Sequence, residues 1–339
     1  MPAPFERLIG NAGTAQRLHQ SLVAERAGSL RCHAYLLTGP AQVGKRTLAR
    51  AMASALVCTA PDGGVVPCGE CRACRLVERG GHPDVRAVEP EAGRKGVTIE
   101  QVRQLTHDAG LRPYESTHKV FLLTAVEAMS DAAANALLKT LEEPPADTVL
   151  LLTSNDASQV LPTIASRCRE VALRPVPVHQ IEEALGARGV EPETAGRLAR
   201  LAAGRPGWAL DAAGDPERLA GHTREVDLLE SLLGRPRRQR LPAASAFGEA
   251  GAAKDTLDVW LGWWRDALLV QQDLPDLVTH VDRLEPLRRL GAVHPPLTLW
   301  GALRRIQEAR QQVDANVNVR LALEGLLLDL PDPVAAPSS

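Results

Sequence analysis

Apolar and polar positions along the chain change their period once, near residue 174. Ahead of that point, short apolar runs alternate with stretches of helical spacing. Ala34–Thr38 (AYLLT) predicts a buried strand, followed by a glycine-containing turn and a helix over Lys45–Val57. Val120–Leu123 predicts a second strand, and the helix after it carries Ala134, Leu137, Leu138 and Leu141 on one face, at i, i+3, i+4 and i+7. Ser130 or Asp131 can cap that helix and Pro144-Pro145 stop it. Thr148–Leu152 predicts a third strand. Strands interleaved with helices imply βαβ units and a mostly parallel sheet.

After Arg174-Pro175-Val176-Pro177 the strand signals vanish, and a short helical segment to about Asp211 leads into a longer helical region. All five tryptophans lie at or after Trp208 (Trp260, Trp263, Trp264 and Trp300 follow), a composition shift that indicates a separate domain. Leu257, Trp260, Leu261, Trp264 and Leu268 mark one amphipathic helix; Val319, Leu323, Leu326, Leu327 and Leu330 mark another. Such stripes build a helical-bundle core, with some apolar surface left for a subunit interface. Pro331–Ser339 reads as a frayed tail.

At 339 residues the chain has room for two or three domains, and 45% hydrophobic with 24% charged residues excludes a disordered protein. Lys+Arg of 39 against Asp+Glu of 41 gives a net charge of -2. That excludes a basic nucleic-acid binder overall, though not a local basic face. No apolar run reaches the roughly 18 residues of a spanning helix, and the opening MPAPFERLIGN has no signal-peptide core. A soluble, intracellular protein without a membrane partner is expected.

Gly39-Pro40-Ala41-Gln42-Val43-Gly44-Lys45 matches G-x-x-x-x-G-K between a strand and a helix. Glycines let backbone N–H groups curl around phosphate oxygens, and the lysine reaches the outer phosphates. The next residue should carry a hydroxyl for Mg²⁺, but here it is Arg46, with Thr47 one place later. One residue rotates a side chain by about 100° at 3.6 residues per turn, so Thr47 is not expected to substitute. Hydrolysis also needs a carboxylate at the end of a buried strand. Val120–Leu123 runs into Thr124-Ala125-Val126, and Glu127 is expected to lie too far along to face the phosphates. An ancestral loop that is now weak or empty is the first expectation, and one that still holds ATP or ADP without hydrolysing it is the second.

Four of six cysteines, Cys58, Cys68, Cys71 and Cys74, share the spacing C-x9-C-x2-C-x2-C. In a reducing compartment such a cluster points to a metal rather than disulfides. Four thiolates suit one structural Zn²⁺ in a closed tetrahedral shell, with Pro67, Gly69 and Gly63-Gly64 supplying turns. An iron–sulfur cluster is the rival, but the following C-x3-C-P is missing. Arg72, Arg75 and Arg79 nearby are nearly offset by Glu70 and Glu78, so this surface is expected to be solvated or to meet a partner. His82-Pro83-Asp84 reads as a turn, Cys32-His33 as packing, and Cys168 as a buried small residue.

The string Asn135-Ala136-Leu137-Leu138-Lys139-Thr140-Leu141-Glu142-Glu143-Pro144-Pro145, followed by Ser166-Arg167-Cys168, resembles the clamp-loader branch of the AAA+ proteins. So do the cysteine insertion after the phosphate-loop helix and Asn316–Glu324 near the C-terminus. Arg46 and the missing acidic strand end resemble its non-hydrolysing members. The resemblance implies an α/β AAA+ domain over residues 1–175 with a zinc module at 58–80, a helical lid over 176–213, a helical collar for oligomerisation over 214–330, and the tail 331–339.

It further implies a stator in a pentameric ring with ATP-hydrolysing tau/gamma subunits and a delta subunit. That ring loads a sliding clamp onto primed DNA in the cytoplasm during replication. Read alone, Arg167 is an arginine in a polar turn, with a surface ion pair as the default. Within the resemblance it becomes an arginine finger for the neighbouring ATP site. Thr153-Ser154-Asn155 falls where the family senses phosphate, and Gly204–Ala209 resembles a second sensor region. An active motor subunit and a zinc-containing DNA-binding regulator are the competing expectations.

Overall fold

Five short segments carry enough extended, buried backbone to pair. In a computed structural model, which describes residues 4–26, 32–60, 67–94, 96–247, 250–315 and 317–331, they form one parallel sheet. The strands are β1 (Ala34–Thr38), β2 (Val85–Val88), β3 (Lys119–Leu123), β4 (Thr148–Ser154) and β5 (Arg169–Ala172), in the order β2-β3-β4-β1-β5. The central β1 and β4 are buried at every position, as continuous apolar runs covered on both faces should be. The edge strands β2 (VRAV) and β5 (REVA) each bury a single side chain, Val88 and Val171. That is why no apolar run announces them.

Crossovers cover both faces. Helices α1 (Ala12–Arg26) and α2 (Lys45–Val57) pack together, with α2 against β1, β3 and β4, and α3 (Arg72–Glu78) against α2. Opposite them lie α4 (Ile99–Ala109) and α5 (Asp131–Glu142), whose Val102, Leu105, Leu137 and Leu141 share a core with Leu36, Phe121, Leu123, Leu150 and Leu152. Ser130 caps α5 by accepting from Ala133 N, and the helix ends before Pro144 as expected. A single turn, α6 (Pro162–Ala165), joins that core through Ile164. Helices α7 (Val178–Gly186), α8 (Pro192–Leu201) and α9 (Pro206–Gly214) follow; no strand occurs beyond β5 among the described residues.

The chain divides into two compact units, Met1–Ala209 and Leu210–Ser339. The second is all helix: α10 (Pro216–Leu233), α11 (Arg237–Arg240), α12 (Ala250–Gln271), α13 (Leu284–Val293), α14 (Pro296–Asp314) and α15 (Val319–Asp329). Its core holds Leu257, Trp260 and Trp264 from the expected stripe, Leu323, Leu326 and Leu327 from α15, and Leu330 just after it. Leu261 and Leu268 pack at its margin, while Trp263 is buried, because α12 is covered by α10, α13 and α14 rather than along one stripe. Trp263 and Trp264 meet edge to face with centroids 5.5 Å apart. Asn316, Gly63-Gly64 and most of the tail (332–339) lie outside the described residues.

Candidate functional site

The loop between β1 and α2 depends on two glycines. Gly39 has φ +136°, and a Cβ there would meet the Leu173 carbonyl oxygen at 2.4 Å; Gly44 has φ +111°, with Leu8 Cδ1 at 2.6 Å. Neither position accepts a side chain without displacing its neighbour. Lys45 opens α2, is 8% exposed, and donates from Nζ to Gly39 O (2.6 Å), Pro40 O (2.7 Å) and Asn155 Oδ1 (2.9 Å). Three donors therefore meet three acceptors of its own chain. Burial pulls the Lys45 pKa down to about 8, opposed only in part by the negative charge of Glu127.

Arg46, at the hydroxyl position of the motif, reaches across to an ion pair with Glu89, just past the end of β2, and Thr47 is solvent-exposed. The chain brings Glu127 back toward the loop. After β3, Ala125 adopts left-handed backbone (φ +54°) and leads into a 3-10 turn over Val126–Ala128. That bend carries Glu127 back, so that Oε1 accepts from Asn155 N at 3.0 Å, next to the Asn155 side chain that binds Lys45. Its Oε2 is buried without a hydrogen-bond partner. An alanine at positive φ has no signature in the sequence, so spacing alone could not place this carboxylate.

Asn155, from the Thr153-Ser154-Asn155 segment, reaches Lys45 because β4 runs two residues past the expected Leu152. The Gly204–Ala209 segment also reaches the loop: Gly207 N donates to Gln42 O at 2.9 Å, and Arg205 lies over the Trp208 ring at 6.0 Å.

Arg167 follows α6 and precedes β5, half-exposed. Its Nη2 pairs with Glu142 Oε1 at 2.6 Å and its Nη1 donates to Thr163 O at 2.9 Å. Cys168 beside it packs against the sheet core, and burial pushes its thiol up to about 12. Cys32 Sγ contacts Ala34 O at 3.3 Å, and His33 Nε2 contacts Leu141 O at 3.0 Å, both packing roles.

The four clustered cysteines are free thiols whose sulfurs all lie within 4.8 Å of one another. Zn–S bonds of about 2.3 Å in a tetrahedron place sulfurs roughly 3.8 Å apart. Cys58 Sγ lies 3.7 Å from Cys68 Sγ and 4.0 Å from Cys71 Sγ, so the set can hold one metal ion. Backbone N–H groups of Ala60, Cys71 and Cys74 donate to the sulfurs of Cys58, Cys68 and Cys71, an arrangement that favours thiolate. Burial works against this at Cys58, Cys71 and Cys74. It wins at Cys58 and Cys74, whose thiols are pushed up, whereas at Cys71 donation from Cys74 and Thr59 outweighs it and brings the thiol down to about 6.

The His82-Pro83-Asp84 turn is a structural device. Buried Asp84 accepts from Tyr114 N (2.5 Å), Glu115 N (2.9 Å), Ser116 N (2.9 Å) and Ser116 Oγ (2.9 Å). Burial would raise its pKa, but these donors hold the carboxyl below its ordinary value. Glu115 in turn pairs with Arg72 of α3 at 2.5 Å, tying the cysteine module to this loop.

Two models of the DNA polymerase III delta subunit match in chain order: the delta-subunit model over residues 11–177 and its C-terminal model over 225–332. The chain is 44% identical to DNA polymerase III subunit delta' of Pseudomonas aeruginosa over 182 residues, covering 49% of this chain and 55% of that protein. Identity to the Bacillus subtilis subunit delta' is 29% over 309 residues, covering 88% and 91% of the two chains. With subunit tau of Salmonella typhimurium it is 36% over 211 residues, covering 60% of this chain and 31% of tau. The chain thus spans about half the length of the Pseudomonas relative and nearly all of the Bacillus one.

Proposed function

This chain belongs to the DNA polymerase III delta-subunit family, and on that premise we propose that it is a delta-prime-type subunit of the clamp loader, a stator that does not hydrolyse ATP. It sits in a pentameric ring with tau/gamma and delta subunits in the cytoplasmic, nucleoid-associated replisome. There it helps load the sliding clamp onto primed DNA. Its AAA+ domain spans residues 1–175, its lid 176–213 and its oligomerising collar 214–330.

One observation carries this reading. The lysine that should grip phosphate is satisfied by Gly39, Pro40 and Asn155 of its own chain, and the neighbouring metal-ligand position holds Arg46, paired with Glu89. The end of β3 supplies Thr124-Ala125 where a magnesium carboxylate is needed. Glycine geometry keeps the cradle, while the groups that bind magnesium and direct water are replaced.

Energy release then belongs to a neighbouring subunit, and Arg167 is this chain's contribution to it. A guanidinium placed against the transferred phosphoryl group stabilises charge that spreads over its oxygens, an effect worth roughly 10³–10⁵ in rate elsewhere. Cys58, Cys68, Cys71 and Cys74 hold one Zn²⁺ in a closed shell, whose chemistry is to cross-link the segment rather than to react.

Reconstituting the loader with Arg167→Ala tests the finger. Hydrolysis at the single site facing this subunit should fall by about 10³-fold, so total DNA-stimulated turnover loses that site's share. Unchanged turnover in an intact ring removes the assignment. A motor reading is favoured by one observation, Glu127 facing Lys45 through Asn155. Magnesium-dependent ATP turnover by the isolated chain, abolished by Lys45→Ala, would establish it.

A further inference from the structure

If Arg167 acts across a subunit boundary, its guanidinium must already be aimed when the neighbour arrives. A free arginine side chain has rotamer freedom to lose on ordering, and the structure removes much of that freedom in advance. Glu142 is the last helical residue of α5, held in place by buried Leu141 one position earlier and by the Pro144-Pro145 stop beyond. Arg167 leaves the turn after α6, held by buried Ile164 and by Cys168, which share one core with Leu137 and Leu141. Both ends of the Arg167–Glu142 pair are therefore fixed to the same packed body.

The contact engages Nη2 with Glu142 Oε1 at 2.6 Å, while Nη1 meets Thr163 O at 2.9 Å and Ser166 Oγ at 3.4 Å. A guanidinium has five N–H donors, so donors remain for a phosphate without any of these bonds breaking. The carboxylate also lies at the C-terminal end of α5, where the carbonyl dipoles favour a cation close by.

We propose that Glu142 is a positioning residue for Arg167, fixing the guanidinium in the rotamer that meets the neighbouring subunit's triphosphate. This rests on the finger reading above. The pair is half-exposed, so its removal has a modest effect on stability, and its consequence appears in the rate.

The test uses the reconstituted complex with Glu142→Ala, Glu142→Gln and Arg167→Ala, measuring DNA-stimulated ATP hydrolysis and ring assembly by gel filtration. Glu142→Ala should lower kcat at the affected site by about two- to fivefold with the KM for ATP and assembly unchanged. Glu142→Gln keeps an acceptor oxygen at the same reach and should recover most of that loss, which a purely structural role would not produce. Full activity of Glu142→Ala beside a strongly impaired Arg167→Ala overturns the positioning role and leaves the finger standing. So does a rise in rate, or a loss that follows ring dissociation. Full activity of Arg167→Ala in an intact ring removes the finger itself.

Discussion

Replacing Cys71 with serine isolates the metal from everything else the cysteine module does. Cys71 caps α3, its sulfur accepting from Cys74 N, and serine is among the best residues for that cap. The helix start survives, and what is lost is one thiolate of four. Structural zinc in small modules binds with roughly 10–16 kcal/mol of apparent free energy near pH 7, so an equal share is about 2.5–4 kcal/mol per thiolate. That weakens zinc binding by about 10²- to 10³-fold.

The segment it holds is short: α3 is seven residues, attached to the rest by packing on α2 and by the Arg72–Glu115 and Arg7–Glu78 pairs. Metal loss should therefore raise amide exchange across residues 67–80 while leaving β1 and β4 protected. Metal analysis of the purified chain should find one zinc per chain, and none in Cys71→Ser after competition with a chelator. A Cys168→Ser control should keep its metal. Native protein purified with zinc present but carrying no metal, or a Cys71→Ser variant that retains a full equivalent, refutes the closed four-thiolate shell.

Other consequences are equally direct. Asp84→Asn leaves its four donors facing a neutral amide and should cost about 2–3 kcal/mol, with faster exchange of the Tyr114, Glu115 and Ser116 amides. Because Asp84 has a lowered pKa in the fold, its contribution is complete above the ordinary carboxylate pKa and disappears as pH falls through the folded value. The gap between wild type and variant should thus begin to close only as pH falls below about 4, and a gap that stays constant as the pH is lowered further contradicts the account. Trp264→Ala opens a large void between Trp263 and the surrounding helices and should destabilise the C-terminal unit by about 3–5 kcal/mol in urea unfolding. A loss under about 1 kcal/mol would mean that this core is not close-packed. With Arg46 at the hydroxyl position, Mg²⁺ should change ATP affinity of the isolated chain by less than about threefold. Calorimetry showing tightening of tenfold or more would restore the loop as a working nucleotide site.

The chain's local chemistry was legible wherever one stretch of sequence determines it. Buried central strands announced themselves as apolar runs, Ser130 and Pro144 bounded α5, and the spacing of four cysteines brought their sulfurs together. The edge strands β2 and β5 were not legible, because an edge buries one side chain and leaves no periodic signal. Trp263 was missed for the opposite reason: a helix enclosed on several sides has no single stripe. The pocket shows the sharpest division. Sequence alone dictated a phosphate-type loop with an arginine in place of the metal-binding hydroxyl. Tertiary structure decided what occupies its lysine: Asn155, 110 residues along at the end of β4, bonds it, and an unforeseeable left-handed alanine turns Glu127 back beside Asn155. Short-range pattern follows from the periods of helix and strand, whereas the partner of a buried charge is chosen by whichever distant groups the closed sheet delivers to it.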